Sequence, residues 1–325
     1  MIDKRGLGGS GIEVSALGFG CWAIGGPWST PDGEPLGWGE VDDDESVRAI
    51  RRALELGVTF FDTADTYGAG HSERVLGRAL AGHRDDVVLA TKWGNVFDER
   101  TKVLTGTDDS VEHLRSAAQA SLRRLGTDRI DLYQMHIEPS DPIALRDACE
   151  DLVKEGLIRG YAWSTDTPEQ AALFAQGPSC VAVQHELSVL HQAPEMLAVV
   201  EDYGIASVNR TPLAMGLLGG KYAAGSQHKG DDIRANPPAW LRFYTEDGNP
   251  MPEWFDRVEA VRATLTADGR TLAQGALGWI WARSDRTIPI PGFRTVRQAE
   301  ENAAALERGP LSPEQMAEID RVLSA

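Results

Sequence analysis

Eight short apolar runs alternate with helical patterns along this chain, at residues 14–20, 58–61, 87–91, 130–135, 158–163, 181–184, 205–209 and 287–290. None shows the polar–apolar alternation of a strand with one wet face, so each is expected to be buried on both faces, as in a parallel sheet covered by helices. Between them, apolar residues recur at three- and four-residue spacing. This predicts helices over 72–80, 110–125, 142–155, 168–175, 193–203, 252–266, 272–282, 296–306 and 313–323. A further helix starts at Asp42-Asp43-Asp44-Glu45, whose acidic side chains suit a helix N-terminus, and stops at Gly57.

Two architectures accommodate such an alternation. A doubly wound sheet would place a Gly-rich phosphate turn and a helix after its first strand. The stretch Gly18-Phe19-Gly20-Cys21-Trp22-Ala23-Ile24-Gly25 has neither the spacing nor the helix. The prediction is therefore an α/β protein of the (β/α)8 or TIM barrel class, as a single domain over residues 1–325. The Gly-rich residues 5–14 are expected to form a β-hairpin ahead of the barrel, and residues 21–40 and 211–252 long loops over one end.

The formal net charge of −17, from 32 Lys plus Arg against 49 Asp plus Glu, excludes a general attraction to nucleic acid or to an anionic membrane. An anionic ligand must then meet local cations or backbone N–H groups. Cys21, Cys149 and Cys180 are an odd number in no motif spacing, which fits free thiols in a reducing cytoplasm. No apolar run approaches a membrane span and no export signal opens the chain.

In a barrel the active site lies at the carboxyl ends of the strands. Three consecutive runs end there on reactive side chains: Asp62, with Tyr67 five residues on, Lys92 and His136. Singly, each has a bland role, as a turn cap, loop packing, a solvated strand end or a core histidine. Together they suit the donation of a proton to an oxygen that is gaining negative charge. A phenol is a weak acid near neutrality unless a cation favours its phenolate, which Lys92 would do with Asp62 holding the ammonium. His136 would orient a carbonyl oxygen. The hydride must come from elsewhere.

These residues sit in stretches that resemble the aldo-keto reductase family: 57–64 with Tyr67, Thr91-Lys92, 131–136, Gly156-Leu157-Ile158-Arg159, 212–221 and Ile290-Pro291-Gly292-Phe293-Arg294 leading to Glu301-Asn302. The likeness runs over nearly the whole chain. It implies a (β/α)8 barrel that binds NADPH without a Rossmann fold and reduces small-molecule aldehydes and ketones. It further implies Tyr67 as general acid, Asp62 and Lys92 as its tuning pair, and His136 as the carbonyl orienter.

For the cofactor, the resemblance implies Ser164 and Gln184 at the nicotinamide carboxamide. The chain departs from the usual pattern at Thr165, where the family commonly has Asn, and at Arg210, where many relatives have an aromatic ring. A guanidinium can also stack on the nicotinamide plane. The pyrophosphate is expected near Thr211, Leu213, Met215 and Gly216. Arg294, after Pro291-Gly292 and the last strand, is the candidate for a 2′-phosphate, which favours NADPH over NADH. Gln298 and Asn302, four apart on a helix and flanking Glu301, would face the adenosine. Trp22 is expected to border both cofactor and substrate, with Trp28, Trp93 and Trp163 as further aromatic walls and Trp240 in a loop above. Two other readings stay open: a catalytically silent NADPH-binding regulatory subunit, and a metal-dependent hydrolase, although only His136 among seven histidines ends a strand.

Overall fold

The computed structural model describes residues 4–222 and 226–324. In chain order its strands are β1 (Arg5–Gly6), β2 (Glu13–Val14), β3 (Gly18–Gly20), β4 (Phe60–Asp62), β5 (Val88–Trp93), β6 (Asn95–Asp98), β7 (Val103–Thr107), β8 (Leu132–Met135), β9 (Tyr161–Ser164), β10 (Cys180–Glu186), β11 (Ala206–Arg210) and β12 (Thr287–Pro289). Eight of them form one sheet in the order β12-β11-β10-β9-β8-β5-β4-β3, and every neighbouring pair in it is parallel. The sheet curls into a nearly closed barrel surrounded by helices. Its two edges meet at a parallel bridge between Gly20 and Gly292, where the Gly20 N–H donates to the Pro291 carbonyl at 3.1 Å.

Glycine is required at that seam. A Cβ on Gly18 would lie 2.5 Å from the Phe60 ring and 2.8 Å from the Ile290 side chain, and one on Gly20 would lie 2.8 Å from the Ile290 carbonyl oxygen. No side chain fits between edges this close.

Strand parity sorts the remaining side chains into two cores. Phe60, Val88, Ala90, Leu132, Ala162, Ala182, Ala206, Val208 and Ile288 form one buried cluster inside the barrel, together with Leu7, Ile12 and Val14. Those last three belong to the segment in which β1 pairs antiparallel with β2, and they plug the amino end of the barrel. Outside the barrel, Phe61 and Leu89 pack with the helix Asp43–Glu55, while Trp93, Tyr133, Met135, Tyr161 and Trp163 pack with the helices Val111–Leu125 and Pro142–Lys154.

The helices stop and start where their caps direct. Asp42 accepts the backbone N–H groups of Asp44 and Glu45, Ser110 caps its helix through His113, and Thr271 forms a reciprocal capping box with Gln274. The three cysteines are free and buried. Among the described residues, no helix is long and apolar enough to cross a membrane.

Candidate active site

A cavity of about 1300 Å³ opens at the carboxyl ends of the barrel strands, bordered by the long loops at 21–40 and 211–252. Its floor is polar. One layer above the apolar interior, Asp62 on β4 and Gln184 on β10 line the cavity, Lys92 on β5 and Gln134 on β8 complete the same layer behind them, and none of the four is more than 2% exposed. The register places Lys92 directly beside Gln134.

Lys92 Nζ donates to Asp62 Oδ1 at 2.5 Å, to the Thr63 carbonyl at 2.7 Å and to the Tyr67 hydroxyl at 3.4 Å. An ammonium has three donors and no acceptor, so all three are engaged, and the Tyr67 oxygen receives from Lys92. The phenolic proton is thereby left free for the cavity. Burial pulls the Lys92 ammonium down, but Asp62 and Tyr67 outweigh it and hold the group above its ordinary value. For Tyr67, burial pushes the phenol up, and the pull of Lys92 in the other direction does not offset it. In the protein alone the phenol therefore lies above its ordinary value, with Lys92 pulling the other way.

His136 follows β8 and meets Tyr67 edge to face, with ring centroids 6.1 Å apart. Burial first, then the Lys92 and Arg210 charges, hold its imidazole down to about 3. The ring is therefore neutral near pH 7. Asn95, the first residue of β6, places its amide Nδ2 3.5 Å from His136 Nδ1. An amide donor at Nδ1 leaves the ring proton on Nε2.

The other expected site residues fall in two groups. Trp22, Trp28, Ser164, Thr165, Gln184, Arg210, Thr211, Leu213, Met215, Gly216, Gly292, Arg294, Gln298, Glu301 and Asn302 all line the cavity, as does Trp240. Trp22 stacks on Tyr67 with centroids 5.9 Å apart, and its indole N–H donates to the Leu36 carbonyl at 3.0 Å. Trp93 and Trp163 do not reach the cavity. Each neighbours an inward residue, Lys92 or Ser164, so pleating turns it outward into the core beneath the helices, where Trp163 donates to the Ile137 carbonyl at 3.1 Å.

Several contacts qualify the expected roles. Thr165 spends its hydroxyl on Gln170 and receives the Thr167 N–H at 3.1 Å. Arg210 is paired with Asp166, whose other oxygen accepts the Glu186 N–H at 2.7 Å. Arg294 reaches the carbonyls of Trp38, at 2.9 Å, and Glu40, tying the last βα turn to the 21–40 loop. Gln298 accepts the Arg294 N–H at 2.8 Å.

Thr211, Ala214, Met215 and Gly216 all have positive φ, of 57°, 48°, 54° and 101°. Left-handed conformations cost non-glycine residues about 1–3 kcal/mol each and cluster where a ligand is held. Within this turn the Ala214 N–H donates to the Thr211 carbonyl at 2.8 Å and the Gly216 N–H to the Leu213 carbonyl at 2.9 Å.

Sequence reasoning missed Gln134, Asn95 and Arg234. Arg234 lines the cavity from the 211–252 segment, donates to the Met215 carbonyl at 3.2 Å and lies 4.4 Å over the Trp38 ring. Of the three, Gln134 carried a usable signal: it precedes His136 by two residues and therefore shares its face. Among the described residues, no group of three or more His, Cys, Asp and Glu converges as metal ligands would.

A family model described as "Aldo/keto reductase family" matches residues 16–324. The chain is 33% identical over 319 residues to the uncharacterized oxidoreductase YqkF of Bacillus subtilis (strain 168), covering 97% of this chain and 94% of that one. It superposes on the glycerol dehydrogenase AKR11B4 from Gluconobacter oxydans with a TM-score of 0.83 and 27% identity, covering 99% and 95% of the two chains. An aldo-keto reductase from Klebsiella pneumoniae, solved in complex with NADPH, gives a TM-score of 0.71 and 25% identity, covering 99% and 95%. With the barrel, the polar floor and a family match over nearly its full length, the chain belongs to the aldo/keto reductase family.

Proposed function

We propose that this protein reduces the carbonyl group of a small aldehyde or ketone, and in reverse oxidises the alcohol, using NADPH. The observation that carries the reading is the chain from Asp62 through Lys92 to Tyr67, which leaves a protonated phenol facing the cavity beside a neutral imidazole. A reduced nicotinamide, when bound, supplies the hydride to the carbonyl carbon. The chain's own residues handle the oxygen. His136, protonated on Nε2, donates a hydrogen bond that polarises and orients it. Tyr67 gives its proton as the oxygen gains charge, and the phenolate that remains is met by the Lys92 ammonium before solvent restores the proton.

The residues present fit a dinucleotide phosphate. The cavity is long enough to run from Tyr67 to Asn302, and the segment 211–216, left-handed at Thr211 and from Ala214 to Gly216, borders it. Gln184 has both amide hydrogens engaged inside the barrel, which leaves Oε1 to accept the amino group of a carboxamide. Arg210, steadied by Asp166, borders the same region. Arg294 stays the candidate for the 2′-phosphate, and its bonds to the Trp38 and Glu40 carbonyls would tie that group to the loop bearing Trp22 and Trp28.

The test is a panel of aldehydes, ketones and aldoses with NADPH and NADH, followed at the reduced-nicotinamide absorbance, for wild type and Tyr67→Phe. Loss of the general acid should lower kcat by about 100-fold or more, with NADPH affinity within about twofold. Equal turnover by Tyr67→Phe would remove the phenol from the mechanism. A wild type that binds NADPH and reduces nothing would make it a silent cofactor-binding protein.

A further inference from the structure

Gln134 is the one member of the barrel's polar floor to which the proposed reaction gives no part, yet its side chain is fully buried and hydrogen-bonded through both its nitrogen and its oxygen. Its Nε2 donates to Asp62 Oδ2 at 2.7 Å. Gln184 Nε2 donates to the same oxygen at 2.7 Å and to Gln134 Oε1 at 3.0 Å. An ionised carboxylate only accepts, so both glutamines must turn their amino sides to Asp62, and the orientation of each amide is fixed by chemistry. The result is a closed ring of three hydrogen bonds, two of them on Oδ2, while Oδ1 is left for Lys92.

That ring has two consequences. Oδ2 is held from two directions, so the carboxylate plane cannot rotate, and Oδ1 stays on the ammonium that faces Tyr67. Gln184, in turn, has no amide hydrogen left to point upward and presents only Oε1 to the cavity. The inward residue one layer below Gln134 on β8 is Leu132, part of the apolar interior, so the glutamine stands where polar floor and apolar core meet. A buried amide with no partner is destabilising, and glutamine is tolerable here because its Nε2 and Oε1 are both bonded.

We propose that Gln134 is a positioning residue for the reaction: it locks Asp62 and Gln184 in register, coupling the alignment of the proton donor to that of the group that meets the nicotinamide carboxamide. This rests on the carbonyl-reductase reading. The charged and titratable groups that face it are Asp62 directly, and Lys92 and Tyr67 through Asp62.

The experiment compares kcat, carbonyl KM and their pH profiles for wild type, Gln134→Leu and Gln134→Glu, with circular dichroism to confirm folding. Leucine fills the space and removes the donor, so kcat should fall about tenfold to a hundredfold, the worth of one hydrogen bond to a charged group, with KM within about threefold and the ratio to wild type flat across pH. The carboxyl of Gln134→Glu can donate to Asp62 only when protonated, because two carboxylates in contact do not both ionise readily. Its kcat should match or fall below that of Gln134→Leu at about pH 9 and recover toward wild type by about pH 6. A role in packing alone would not generate that recovery. Wild-type kcat in Gln134→Leu, or parallel pH profiles for the two variants, would overturn the inference. Should Gln134→Leu fail to fold, the Glu variant still decides by the presence or absence of the recovery. Wild type without turnover refutes the reductase reading itself and takes this inference with it, an outcome visible without any variant.

Discussion

Replacing His136 with glutamine probes the electrostatics of the site through stability alone. The imidazole is held down to about 3 by burial, Lys92 and Arg210. In the unfolded chain it titrates near 6.5. Because the folded value is the lower one, the unfolded state takes up the proton first, so the stability tied to the neutral ring is complete above about pH 6.5 and is lost as pH falls toward about 3. By about pH 5 the unfolded imidazole is almost fully charged and the folded one neutral, a difference of about 1.5 units or about 2 kcal/mol. The ring borders an open cavity, and water there trims this to about 1–2 kcal/mol. His185, fully buried in β10 and held down to about 4 by burial, loses stability in the same window and does so in both proteins. The assay is urea unfolding at about pH 8 and about pH 5 for wild type and His136→Gln. Wild type should lose about 1–2 kcal/mol more than the variant between the two conditions. Equal losses would refute the placement of His136 as a neutral ring facing two cations, and with it the assignment of a single hydrogen-bond donor to the carbonyl.

Two further substitutions separate walls of the cavity from walls of the core. Trp93→Ala, at a residue buried outside the barrel, should cost about 3–5 kcal/mol in a thermal or urea melt, whereas Trp22→Ala should chiefly raise carbonyl KM, by about tenfold, with a smaller loss of stability. The reverse order would mean that parity has been misassigned on β5. Arg294→Ala should weaken NADPH by about tenfold or more and NADH by much less, read by quenching of tryptophan fluorescence, and equal losses for both would place the 2′-phosphate elsewhere.

The barrel was legible because parallel strands and their helices leave a strong periodic trace. All eight runs became strands with shifted ends, several running further toward the site than expected, while at the start Val14, expected in the first barrel strand, pairs instead with Arg5 and the barrel strand begins at Gly18. The antiparallel pair β6 and β7 was missed. None of its residues is fully buried, they carry no apolar alternation, and they turn through Glu99-Arg100-Thr101-Lys102 without the Asn-Gly or Asp-Gly of a tight hairpin. Asn95 was overlooked for the same reason, since nothing in the sequence brings the start of that ribbon to His136.

A different limit produced the errors at Trp93 and Trp163 and the silence about Gln134. A strand buried on both faces gives no hydrophobic alternation from which to read direction, so an aromatic residue at its end is equally compatible with the cavity and the outer core. Direction enters only through a residue whose chemistry demands one side. Once Lys92 is assigned inward to serve Tyr67, Trp93 is forced outward, and the parallel register that pairs Lys92 with Gln134 and Trp93 with Met135 carries the same parity to β8. Gln134 must then lie in the layer of Asp62 and Lys92, and Met135 outside with Trp93. A single inward lysine therefore determines the facing of two strands, and the glutamine beside it follows as a residue that donates to its counter-ion.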